Sequence, residues 1–89
     1  MNFIFFYDSN IDTFNSYKTI LTNYFKSKYN LNNKYIEVDI SKDKKAITNY
    51  SLSHVPTIKI YDNSQCLLEE CSPFNNQYLD IIEKYYQSI

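Results

Sequence analysis

The amino-acid sequence predicts an α/β domain of order β-α-β-α-β-β-α, with a four-stranded mixed sheet and helices on both of its faces. Three stretches carry that prediction. Phe3-Ile4-Phe5-Phe6-Tyr7 is a short, nearly continuous apolar run, the pattern of a strand covered on both sides. Ile11, Phe14, Tyr17 and Leu21 follow at helical spacing. Pro56 then stands directly before Thr57-Ile58-Lys59-Ile60-Tyr61, an alternating run rich in β-branched and aromatic residues. Proline lacks an N–H and fixes φ, so it suits the first residue of a strand and not its middle.

Taken in order, the first strand spans Asn2 to Tyr7 and is broken at Asp8-Ser9-Asn10, any of which can cap a helix. The first helix runs from Ile11, with Ile20, Tyr24 and Phe25 widening its apolar stripe. Asp12 in its first turn and Lys26 and Lys28 in its last turn suit the helix dipole. Asn30-Leu31-Asn32-Asn33 reads as a loop, and Tyr35-Ile36-Glu37-Val38-Asp39 as the second strand. Ser41 can cap a short helix with Ala46, Ile47 and Tyr50 facing inward, ending around Tyr50-Ser51-Leu52. Pro56 opens the third strand, which ends at Tyr61. Asp62-Asn63-Ser64-Gln65 is a turn by composition, and Cys66-Leu67-Leu68-Glu69-Glu70 completes a hairpin. Ser72-Pro73 reads as an N-cap with proline at the first helical position. The last helix buries Leu79, Ile82 and Tyr86, with Tyr78, Ile81 and Tyr85 at its flanks. Two right-handed crossovers followed by a hairpin produce the mixed sheet.

A chain of 89 residues is expected to form one domain, 1–89, with one modest core. Aromatic residues make up 18%, with ten Tyr and six Phe, and there is no Gly and no Trp. Asn, Ile, Lys and Tyr are overused, as in the proteins of AT-rich genomes, whether viral, bacterial or protist. Codon bias is therefore an alternative to a binding role for the ten tyrosines. The net charge of −1 argues against a nucleic-acid binder, which needs a basic face. Lys42, Lys44 and Lys45 form the only dense basic cluster, interrupted by Asp43, and read as a solvated helix face. The apolar start lacks the charged region of a signal peptide, and no segment is long enough to span a membrane. The default expectation is a soluble cytoplasmic protein.

The sequence also resembles the thioredoxin-like superfamily. Val55-Pro56-Thr57 before the third strand is the most specific marker. Phe3 to Leu21 is similar to the family's strand, active-site loop and following helix. Tyr50-Ser51-Leu52-Ser53-His54-Val55-Pro56-Thr57 resembles its Tyr-Gly-Ile-x-x-Ile-Pro-Thr stretch. The likeness runs through most of the chain, and it lacks the extra strand and helix before the core, so its outline is nearer to a glutaredoxin. The resemblance implies a minimal thioredoxin-like fold with a cis bond at Pro56; the alternative is an ordinary trans proline at a strand start. It also implies that Val55 pairs its backbone with an extended peptide, a mode that needs main-chain groups and no cysteine.

The departures bear on chemistry. The family's Cys-x-x-Cys falls at Ile11 and Phe14, the preceding Trp at Asn10 and the buried acid at Phe5. Under that alignment nucleophile, resolving group and proton acceptor are all absent, so dithiol exchange at the usual site is excluded. Cys66 and Cys71 are the only thiols. On a strand they stand about 16 Å apart, too far for a disulfide, and an odd offset sends them to opposite faces. Cys66 is expected to be a small buried hydrophobe. Cys71 reads either as a packed cysteine or as a lone thiol beside the proline loop. Two thiols and one His make a poor metal set, and no metal or cofactor is expected.

His54 reads as a groove-edge residue or a loop His in solvent. Asp8 and Asp12 are explained by helix capping, and Glu69-Glu70 by strand-end charge. Ile11 and Phe14 are expected to expose apolar surface beside the proline. The expected binding groove is Ile11, Asp12, Phe14, His54, Val55 and Pro56, with Ser72 and Cys71 opposite. The function expected is a protein- or peptide-interaction module without dithiol redox activity. One alternative is a divergent monothiol redox protein using Cys71 with glutathione or a partner's cysteine. Another is a homodimer formed through the Ile11 and Phe14 surface.

Overall fold

The structure is a computed structural model that describes residues 1–27 and 34–86. Its elements are β1 (Asn2–Tyr7), α1 (Asp12–Ser27), β2 (Lys34–Asp39), α2 (Lys45–Asn49), β3 (Thr57–Tyr61), β4 (Leu67–Cys71) and α3 (Tyr78–Tyr86). The strands form one mixed sheet in the order β2-β1-β3-β4. Strand β1 pairs parallel with β2 and antiparallel with β3, and β3 pairs antiparallel with β4. Only β1–α1–β2 is therefore a parallel crossover. The β2-to-β3 connection passes over β1 and lands antiparallel, where the sequence reading expected a second crossover of the same kind. Lys28 and the Asn30–Asn33 loop lie outside the described residues.

The continuous apolar run of β1 serves two cores. Phe3, Phe5 and Tyr7 pack with Phe14 and Leu21 of α1, Ile58 and Ile60 of β3, and Tyr78 and Ile82 of α3. Ile4 and Phe6 point the other way and pack with Ala46 of α2. Helices α1 and α3 thus share one face and α2 covers the other. Full burial of each of these large side chains contributes on the order of 1.5–3 kcal/mol.

The smaller core is braced by a lysine. Lys59 on β3 is only 5% exposed. Its Nζ donates to the Tyr50 carbonyl at 2.6 Å and lies 3.5 Å from Glu70 Oε2. Tyr50 is the C-cap residue of α2, so the ammonium sits at the negative end of that helix. The Tyr50 ring packs 4.9 Å from Phe6 and 6.3 Å from Tyr61.

Several local expectations are corrected. Helix α1 accepts its first hydrogen bonds at the Ile11 carbonyl, while the Asp8 carboxylate binds the Asn10 N–H in a turn before it. Ser41 does not cap α2, whose N-cap residue, Lys44, makes no side-chain cap; Ser41 bonds to Asp39 instead. Ile47 is exposed and not inward. Ser72 does not cap α3, which begins at Tyr78: Ser72 Oγ accepts the Phe74 N–H in a turn of its own. In α3 Tyr78 and Ile82 are buried, with Leu79 and Tyr86 only partly covered. Cys66 precedes β4 and is exposed, not a buried hydrophobe.

Candidate functional site

Three segments converge where the groove was expected. The Val55–Pro56 peptide bond is cis, and Pro56 is buried at the head of β3. Thr57, next in the chain, donates from Oγ1 to the Cys71 carbonyl at 3.3 Å, joining the proline loop to the end of β4. Phe14, on the first turn of α1, and Cys71 belong to the same core cluster, and Val55 packs against it.

Phe14 does not provide apolar surface. It is 7% exposed and lies beneath Phe74, whose ring is 6.0 Å away. Phe74 also meets Tyr17 at 5.9 Å and is itself 63% exposed. The apolar surface around the start of α1 is therefore Ile11, 41% exposed, and Phe74. Nothing local marks Phe74, because the Ser72-Pro73 turn that presents it carries the sequence pattern of a helix start. Asp12 is exposed and Ser72 half-buried.

His54 and Val55 belong to a second hollow, on the α2 side of the sheet. Ile40, Ile47, Leu52, Ser53, His54 and Val55 line a depression of about 160 Å³. Val55 packs against both cores, so it links the two sites. The depression is shaped by the end of α2. Ser51 N donates to the Thr48 carbonyl and Leu52 N to the Ile47 carbonyl, with Ser51 at φ 53°. This is a Schellman motif, which brings the residue after the left-handed one against the helix residue five before it, here Leu52 against Ile47. At the rim Ser53 Oγ is 3.0 Å from His54 Nδ1.

The thiols are free and differently placed. Cys71 is buried, and burial together with the Glu69 charge pushes its thiol up to about 11. A thiol so raised is overwhelmingly protonated near neutral pH and is a poor nucleophile. Among the described residues no group of three or more His, Cys, Asp or Glu is placed to hold a metal ion.

The loops after the two parallel strands are tied together by Asp39. Its Oδ1 accepts the Ser9 N–H at 3.2 Å, the Ser41 N–H at 3.1 Å and the Ser41 hydroxyl at 2.7 Å. Desolvation works to raise its pKa, but the hydrogen bonds from Ser9 and Ser41 outweigh it and hold the carboxyl well below the usual range.

Element order and sheet composition match the minimal thioredoxin-like α/β arrangement. No protein-family model matches this chain, and no curated protein sequence matches it. Among the described residues no helix is long and apolar enough to cross a membrane.

Proposed function

We propose that this chain is a thioredoxin-like domain without dithiol redox activity, acting as a protein- or peptide-interaction module through the groove at Val55–Pro56. The observation that carries the reading is the exposed Phe74 over the buried Phe14, with Ile11 also exposed just before α1. Phe74, 63% exposed against Phe14 and Tyr17, supplies apolar area beside the first turns of α1 for a partner to cover. Ile11 and Phe14 occupy the positions of the two cysteines in the resemblance to thioredoxins, so grease stands where sulfur chemistry otherwise operates. Support also comes from Cys71, whose buried, protonated thiol does not favour the monothiol alternative. Binding by strand addition along the Val55 backbone requires no reactive side chain.

The test is a quantitative pull-down comparing the unmodified chain with Ile11→Asp and Phe74→Asp. Both positions are exposed, so the variants should fold, as circular dichroism would confirm; Phe14→Asp would not, because it places a charge in the core. Loss of the same captured proteins by both variants is the expected result. Unchanged capture, or catalysis of insulin disulfide reduction by the purified chain, overturns the reading.

A further inference from the structure

We infer that the depression between α2 and the proline loop receives one bulky apolar side chain of an extended peptide whose flanking residues are acidic. The inference rests on the interaction-module reading and deepens it by assigning a second contact and a partner chemistry.

Size comes first. A dry cavity near 150 Å³ holds a benzene-sized ring, so a depression of about 160 Å³ suits one leucine or phenylalanine side chain. Its walls are Ile40, Ile47, Leu52 and Val55, and Ile47 is 43% exposed, so apolar surface stands ready to be covered. The Ser53–His54 pair supplies polar atoms at the rim for the backbone of an incoming strand.

Charge fixes the flanks. The chain as a whole is at −1, yet residues 42–45 carry three lysines against the single Asp43, and all four are exposed. Lys44 lies one helical turn before Ile47, so the two are neighbours on the surface of α2. Lys59 is engaged with Tyr50 and Glu70 and adds nothing to this surface. Asp39, next to Ile40 in the chain, keeps its charge while its Oδ1 accepts from Ser9 and Ser41, so three lysines still outnumber two acids here. A basic margin beside an apolar hollow complements an apolar anchor between carboxylates.

The test is fluorescence anisotropy with three labelled hexapeptides: glutamates around a central leucine, lysines around the same leucine, and glutamates around a serine. The first should bind saturably and weaken with added salt. The other two should bind about tenfold more weakly or worse. Ile47→Asp should weaken the first peptide by about tenfold, and Lys44→Glu combined with Lys45→Glu by several-fold. Equal binding of the glutamate and lysine peptides overturns the inference. So does indifference to Ile47→Asp in a variant shown to be folded, or binding of octanoate without the leucine peptide. Failure of the wider reading appears separately, as insensitivity of the pull-down to Ile11 and Phe74.

Discussion

Ser51 holds a left-handed backbone, φ 53°, in a chain that contains no glycine. An L-residue in that region costs about 1–2 kcal/mol through the contact of Cβ with the following carbonyl. Glycine removes that cost, but its freer unfolded state takes back about 0.5–1 kcal/mol. Ser51 is exposed, so no packing is lost. Ser51→Gly should therefore stabilise the domain by about 0.5–1 kcal/mol, which for a chain of this size raises Tm by about 2–8 °C. Ser51→Val, with a β-branched side chain at positive φ, should move the other way by about 1 kcal/mol. Gln65, at φ 68°, offers an independent repeat in the β3–β4 turn, and the two glycine substitutions should add. Urea unfolding followed by circular dichroism reads midpoint and slope together. A Ser51→Gly midpoint at or below that of the unmodified chain, with unchanged slope, would refute the reasoning.

Other consequences can be checked with the same protein. Because the Asp39 carboxyl is held below its unfolded value, its contribution to stability is complete above that value and declines as pH falls below about 4. Asp39→Asn should lower stability at pH 7 and flatten this acid limb; parallel urea curves at pH 7 and pH 3 measure both. Thiol labelling of the folded chain should modify Cys66 promptly and Cys71 only on unfolding, and simultaneous labelling would show that Cys71 is accessible. Phe14→Ala should cost about 3–5 kcal/mol and Phe74→Ala about 1 kcal/mol or less, a contrast that thermal melts resolve.

Much of this protein was written locally. The β1 run alternates between two cores, so it had to be apolar at every position, and an uninterrupted hydrophobic stretch of that length reads as a doubly covered strand. Pro56 before an alternating run marked the head of β3 because proline cannot donate within a sheet. Asp62 closes the hairpin by accepting the Ser64 and Cys66 N–H groups, a property of its short side chain. Each of these is set by neighbours in the chain, which is why element order and the four strands were legible without coordinates.

What only tertiary structure decided depends on segments far apart in sequence. Ser72-Pro73 satisfies an N-cap pattern, yet the same hydroxyl closes a turn, and α3 starts where Tyr78 becomes buried. That turn sets Phe74 over Phe14, 60 positions earlier, and so determines which ring is core and which is surface. The β3–β4 register shift at Ile60/Tyr61 and the burial of Lys59 against the end of α2 likewise have no local signature. Propensity and periodicity act over a few residues and specify which elements form. The exposed apolar groups and the depression beside α2 arise from how those elements close on one another, and only the packed chain sets that geometry.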